Sequence, residues 1–407
     1  MVAAVPFKIP YSEEQVKRLR ERLAQAQYPD ELEDVGWTYG TPKATLKSLA
    51  EYWEKDFDWS KQVQKFNELD HYKMECNGID LHYILVKKSD SENEEQSRET
   101  RIPLLLIHGW PGSFMEFGKI IGRLRESFDL VIPSLPGYGY SSAPKRPGFG
   151  IGEMAKTLNE LMVNLGYLRY AAQGGDWGSF ISRQIAHDFP RNCKAIHLNM
   201  AVAGRPSYWT PMKFARMMIS FFKPEWVYTA AEVQGLHKSM LFRENGTGYS
   251  SIQGTKPQTL GYALTDSPVG LLAWILEKFA AWSDSRPANN YESAFTRDEV
   301  LTNVMIYYTT GTITSSMRLY YEAMNASNPI IGNKKHQPYR VECPVGISNF
   351  KEELVQLPKE WLEAELNIQW MSHHDHGGHF AALEVPELLA EDLIQYFGTA
   401  VVQQQFS

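Results

Sequence analysis

The chain has 407 residues, 43% of them hydrophobic and 22% charged, a globular composition too long for one minimal core. Its net charge of −7 lacks the basic excess that phosphate backbones attract, so nucleic acid is excluded as a partner class. Three scattered cysteines, Cys76, Cys193 and Cys343, with no CxxC pair, argue for buried thiols rather than a disulfide framework or a cysteine zinc site.

The opening MVAAVPFKIPYSEEQVKRLRERL reaches charged residues early and holds no apolar region of signal-peptide type. No run of about 18 apolar residues follows anywhere, and the terminal VVQQQFS is not a retention or peroxisomal address. A soluble, cytoplasmic protein without a membrane anchor is expected. Ser12 is placed to cap a helix over EEQVKRLRERLAQA, with Gln15 completing a capping box. A second helix is expected over TPKATLKSLAEYWEKDF. YKMECNGIDLHYILV then alternates apolar and polar residues around Asn77-Gly78, which signals a hairpin. The polar tract SDSENEEQSRET reads as a solvated loop. Residues 1–100 therefore form an N-terminal extension that wraps the core and supplies the first hairpin strands of the sheet.

From Arg101 the pattern becomes α/β. Ile102–Ile107 (IPLLLI) is a short continuous apolar run, as buried parallel strands are. Phe128–Ile132, Arg169–Ala172, Lys194–Leu198, Pro344–Ser348 and Ile368–Met371 are similar. The helical patterns MEFGKIIGRLRE, IGEMAKTLNELMVNLG and SFISRQIAHDF separate the early ones. This alternation predicts a mostly parallel sheet with helices on both faces. The strand signal vanishes over residues 204–335, which read as an inserted helical lid. Residues 101–203 and 336–407 are then the two parts of the sheet domain.

Chemistry concentrates in four places. Gln173-Gly174-Gly175-Asp176-Trp177-Gly178-Ser179 lies between a strand and an amphipathic helix. The small-x-Asp-x-small pattern has the shape of a nucleophile elbow with Asp in place of Ser. The bland alternative is a turn with Asp176 capping the helix. His108-Gly109-Trp110-Pro111-Gly112-Ser113 leaves the first parallel strand. In α/β-hydrolases this loop and the residue after the nucleophile each supply an oxyanion-hole amide, here Trp110 and Trp177. Pro111 shapes that loop, with a cis bond as one option, and His108 is expected to pack beneath it rather than do chemistry. Pro136-Gly137-Tyr138-Gly139-Tyr140-Ser141 is a glycine-rich loop that lets the chain turn close to the elbow. Late in the chain, Ser372-His373-His374-Asp375-His376-Gly377-Gly378-His379 offers a general base. A metal site is the rival reading of these histidines. It is weakened because no Cys or external carboxylate motif accompanies them. From position alone Glu352, Glu353 and Asp375 are all candidates for the acid that orients the base.

The motifs HGWPGS, GGDWGS and GGHFAALE, at His108–Ser113, Gly174–Ser179 and Gly377–Glu384, make the chain resemble an epoxide hydrolase of the microsomal-like branch, with its α/β-hydrolase fold. The resemblance covers almost the whole chain, N-terminal segment included. It implies Asp176 as nucleophile, His379 as base and Glu353, in the F-x-x-[DE]-L pattern, as the acid orienting His379. It also implies two lid tyrosines, Tyr249 before the IQ-x-TKP stretch and Tyr320 in the S-x-R-x-Tyr stretch, with Tyr321 next to it should the register slip. Membrane attachment of microsomal members does not carry over, because their anchoring helix has no counterpart here.

These groups suit an epoxide. An ionised Asp176 attacks the epoxide carbon without needing a base. Tyr249 and Tyr320 hydrogen-bond the ring oxygen, and one gives it a proton. His379, oriented by Glu353, then activates water to cleave the ester, with the amides of Trp110 and Trp177 holding the oxyanion. The product is a vicinal diol, and no metal or organic cofactor is required. The expected partner is a small lipophilic epoxide, and the family's habit of dimerising leaves a homodimer open. A haloalkane dehalogenase shares the Asp ester and the Asp-Trp-Gly elbow, but its halide-binding Asn is missing from the first motif. A non-catalytic hydrolase-fold receptor would lack a catalytic residue, and none is missing here.

Overall fold

The computed structural model describes residues 3–87, 101–204, 206, 211–285, 291–325 and 340–407. The tract at 89–100 and the ends of the expected lid lie outside the described residues.

The strands are β1 (Val5–Phe7), β2 (His71–Cys76), β3 (Ile79–Val86), β4 (Ile102–Ile107), β5 (Phe128–Pro133), β6 (Tyr170–Gly174), β7 (Cys193–Leu198), β8 (Val341–Asn349) and β9 (Leu366–His373). Among the described residues they form one nine-stranded sheet in the order β1-β2-β3-β5-β4-β6-β7-β8-β9. Pairing is antiparallel from β1 to β5 and parallel from β5 to β9. The continuous apolar runs are explained by burial: Leu104, Leu105, Leu106 and Ile107 are all 0% exposed. Helices cover both faces, so no side of a central strand meets water. The hairpin between β2 and β3 turns on Asn77 and Gly78, both with positive φ (51° and 76°), as a two-residue turn of this kind requires.

The structure differs from the sequence reading in four places. β1 has three residues, too few to show a period. An additional helix, Trp59–Phe66, starts at Asp58, whose side chain accepts from Lys61 N–H at 3.1 Å. MEFGKIIGRLRE is not one helix: a 3₁₀ segment, Phe114–Lys119, precedes a short α-helix, Ile121–Leu124. The capping box at the first helix, Glu13–Ala24, closes on one side only. Ser12 Oγ accepts from Gln15 N–H at 3.2 Å, but the Gln15 amide reaches the Thr309 carbonyl at 3.0 Å instead.

That last contact shows what the N-terminal helices do. The helix Lys43–Lys55 packs on the lid helix Pro268–Trp282. Nearby, Thr41 Oγ1 donates to the Ala273 carbonyl at 2.9 Å and Tyr52 Oη to Asp298 at 2.8 Å. The extension thus joins the sheet through its hairpin and grips the lid through its helices. Among the described residues of the lid stand the helices Pro211–Ser220, Ala230–Asn245, Gly248–Gln253, Pro257–Asp266, Pro268–Trp282, Arg297–Thr310 and Ile313–Asn325. No helix among the described residues is long and apolar enough to cross a membrane.

Candidate active site

β6 ends at Gly174 and a helix, Asp176–Asp188, begins two residues later. This leaves Asp176 with φ of +47°, in the left-handed region that a non-glycine residue seldom enters. Crowding explains the neighbouring glycines. A Cβ on Gly174 would lie 2.2 Å from the carbonyl carbon of Gly178, and one on Gly178 would lie 2.0 Å from the Ile107 carbonyl oxygen. Only hydrogens fit where this helix meets β6 and β4.

The loop after β4 faces the elbow. The Trp110–Pro111 bond is cis. Trp110 N–H donates to Asp176 Oδ1 at 2.8 Å. Trp177 N–H is in the first turn of its helix, where no carbonyl four residues back is available to it. His108 is buried below: Nε2 accepts from Leu135 N–H at 3.1 Å, and Nδ1 lies 3.0 Å from the Gly109 carbonyl. Burial pulls its pKa down to about 4, so it is a neutral spacer. The lid helix Arg297–Thr310 holds this loop from above. Asn303 Nδ2 donates to the Pro111 carbonyl at 2.7 Å and Tyr307 Oη to the Gly112 carbonyl at 2.7 Å.

A histidine enters from the far end of the sheet. His379 follows β9, and its Nε2 lies 3.3 Å from Asp176 Oδ2. Its Nδ1 lies 2.7 Å from Oε1 of Glu353, which follows β8. His379 and Glu353 are both buried. Burial opposes a charge on His379, but the Glu353 carboxylate and Asp176 outweigh it and hold the imidazole pKa well above its usual value. The other candidates point elsewhere. Glu352 pairs with Lys238 at 3.0 Å, and Asp375 is exposed beside His376 at 2.6 Å. His374 turns to Asp392 at 2.7 Å, so the histidines of this segment diverge. Among the described residues no group of three or more His, Cys, Asp or Glu is arranged to hold a metal.

The lid supplies the roof. Tyr249, on the helix Gly248–Gln253, stacks on Trp110 with ring centres 5.3 Å apart and planes 8° apart. Tyr320, on the helix Ile313–Asn325, meets Trp177 edge-on at 4.8 Å. Tyr320 is 3% exposed and Tyr321 43%, so the register turns Tyr320 inward. Burial, followed by nearby acidic groups, raises both phenols far above their usual pKa and keeps them protonated. The glycine-rich loop after β5 braces the Tyr320 helix more than the elbow. Ser315 Oγ donates to the Gly137 carbonyl at 2.6 Å and Tyr138 Oη to the Ser316 carbonyl at 3.0 Å.

Several residues at the site were given no role by the sequence reading. Trp282 reads as the apolar end of a lid helix, yet its ring centre lies 5.0 Å from Tyr249 and 5.2 Å from His379. Its carbonyl accepts from His379 N–H at 2.9 Å. Glu384, which closes the GGHFAALE motif, accepts from Phe380 N–H at 2.9 Å and Asp284 N–H at 2.8 Å, tying the His379 loop to the lid. Its pKa is nevertheless pushed up to about 7 by burial. Glu116 is likewise pushed up to about 8 by burial. With Asp176, His379 and Asn199 it borders a cavity offering about 20 Å³ to the centre of a water molecule, room for about one.

A carboxylate on a strand-to-helix elbow, with one oxygen on a backbone amide and the other facing a histidine paired to an acid, has the geometry of an α/β-hydrolase site with an aspartate at the elbow. The comparisons with known proteins carry this further. A family model described as "Epoxide hydrolase N terminus" matches residues 4–117, and one described as "alpha/beta hydrolase fold" matches residues 102–308. Epoxide hydrolase 1 of Sus scrofa is 38% identical over an alignment covering 98% of this chain and 89% of that protein. Among solved structures, juvenile hormone epoxide hydrolase from Bombyx mori superposes with a TM-score of 0.88 at 32% identity, covering 98% of this chain and 95% of that one. The Aspergillus niger epoxide hydrolase gives 0.81 at 29% identity, covering 97% and 96%. The chain belongs to the epoxide hydrolase family.

Proposed function

We propose that the chain converts a lipophilic epoxide and water into a vicinal diol through an ester on Asp176, with Tyr249 and Tyr320 assisting ring opening and His379 and Glu353 driving ester hydrolysis. The observation that carries this reading is one continuous line of contacts under two buried phenols. Trp110 N–H holds one Asp176 oxygen, His379 faces the other, and Glu353 lies behind His379. Asp176 opens the ring from the side opposite the breaking C–O bond, while the phenols meet the charge growing on the oxygen.

Formation of the ester supports the second step. The Asp176 charge that helps raise the His379 pKa disappears on alkylation. His379 therefore loses its proton more easily when a neutral base is needed. A water-sized cavity borders both residues. Attack of the activated water on the Asp176 carbonyl places an oxyanion on the oxygen nearest Trp110 N–H, with the Trp177 amide as second donor. The aromatic walls, Trp110, Trp177 and Trp282 with the two tyrosines, support a lipophilic substrate. The test is His379→Gln mixed with excess styrene oxide: protein mass is expected to rise by one substrate while diol formation stops. An unmodified protein under those conditions would overturn the two-step reading.

A further inference from the structure

The helix Pro268–Trp282 is apolar and mostly buried, yet it carries Lys278 at 4% exposure between core residues. A buried ammonium is strongly disfavoured unless other groups replace its water. Two kinds of group do so. The Glu277 carboxylate pairs with Nζ. Three aromatic rings also surround it, with centres 4.5 Å away for Tyr249, 5.5 Å for Trp274 and 5.7 Å for Trp282, all within reach of a cation–ring attraction. An apolar side chain would fill this place without the desolvation penalty, so packing alone does not account for a cation here. The nearest ring belongs to one of the two lid phenols, and no comparable contact reaches Tyr320 among the described residues.

We infer that Lys278 is a positioning residue for ring opening: its cation stabilises the negative charge that Tyr249 acquires on giving its proton to the epoxide oxygen. The inference rests on Tyr249 acting as an acid, and it makes Tyr249, rather than Tyr320, the donor. In the step itself an Asp176 oxygen bonds to the epoxide carbon and the ring C–O bond breaks. The electron pair goes to the ring oxygen, which takes the Tyr249 proton and leaves a phenolate. Hydrolysis of the ester releases the diol, regenerates the carboxylate and leaves one proton over, which restores the phenol. As the proton departs, a cation–ring contact becomes an attraction between full charges in a water-poor site. An interaction that strengthens on the way to the transition state is the kind that raises a rate. The other groups facing Tyr249 do not supply this. Asp176 and Glu277 disfavour its ionisation, and the Tyr320 hydroxyl favours it only through a hydrogen bond.

The experiment uses the His379→Gln protein, in which the first step stands alone, with styrene oxide as probe. Adduct formation is timed by rapid quenching and intact-mass measurement. Lys278→Met and Lys278→Gln are each expected to slow it by about 10- to 30-fold. Two neutral replacements guard against a folding defect in either. Lys278→Arg, which keeps the charge, is expected to stay within about threefold. In a Tyr249→Phe background Lys278→Met should add nothing, because the group it assists is gone. If Tyr249→Phe slows the step while both neutral variants match the parent, Lys278 plays no part and the tyrosine reading survives. If Lys278→Met slows the step equally with and without the Tyr249 hydroxyl, Lys278 acts through packing and the inference falls. If Tyr249→Phe itself has no effect, it is the reading of Tyr249 as an acid that fails.

Discussion

The two halves of the site are held by different physics. The floor, Asp176, His379 and Glu353, hangs from the ends of β6, β9 and β8 and is fixed by directional contacts among two carboxylates, an imidazole and a backbone amide. The roof, Tyr249 and Tyr320, comes from two lid helices and is fixed by aromatic faces and edges at 4.8–5.8 Å. Directional bonds on rigid strand ends set atoms to within tenths of an ångström, as covalent attack needs. Ring packing sets shape and excludes water, which suits the proton-donor role proposed for these phenols.

Substitutions can test that division, beginning with the floor. Asp176→Ala should lower diol formation by at least about 10⁴-fold and give no adduct by mass, because the attacking atom is gone. Residual adduct on that variant would move the nucleophile elsewhere. Glu353→Gln should leave adduct formation close to the parent while slowing ester hydrolysis by about 10²–10⁴-fold, since His379 loses its orienting charge. Equal slowing of both steps would dissolve the assignment of Glu353 to the second step alone. In the roof, Tyr249→Phe and Tyr320→Phe should each slow adduct formation, by about 10²-fold for the donor. The exposed Tyr321→Phe should change nothing, and single-turnover rates for the three variants decide the register.

The smallest effect concerns stability. The raised His379 pKa means its partnership with Glu353 and Asp176 contributes fully below the ordinary histidine value of about 6.5. That contribution fades as pH climbs through the raised value. The Tm of the parent minus that of His379→Gln should therefore shrink from pH 6 to pH 9. A constant difference across that range would mean that the imidazole does not carry the proton in the resting protein.

Legibility followed the same division. In the floor, the elbow of Asp176 was readable because it sits in a short motif whose glycines answer a local need, whereas His379 and Glu353 were singled out from their neighbours by resemblance. Gly174 and Gly178 are crowded by backbone, and Gly109 would put a Cβ 2.2 Å from Asp176 Oδ1. The buried strands were readable from unbroken apolar runs, and the hairpin from Asn77-Gly78. The roof was less so. Tyr249 and Tyr320 are two of 21 tyrosines, and the stretches around them carry meaning only through the resemblance. Trp282 and Lys278 belong to a helix that looks like plain core with one adjacent pair of opposite charges, Glu277 and Lys278, in it. Gln15 looked like half of a capping box and instead reaches the lid, because a side chain's partner 294 residues away leaves no mark in its own neighbourhood.

The sequence by itself therefore determined a sheet domain interrupted by a helical lid, an aspartate on a sharp turn, and histidine and acid loops placed late in the chain. Those features depend on backbone conformation and on which face of an element is buried, and both are written locally. Only the tertiary structure decided that His379 turns to Glu353 while His374 and His376 turn away. It alone brought Tyr320 rather than Tyr321 inward, and set Lys278 over Tyr249. Such choices depend on which surfaces meet when distant segments pack, and on how burial makes a paired charge tolerable where a lone one is not.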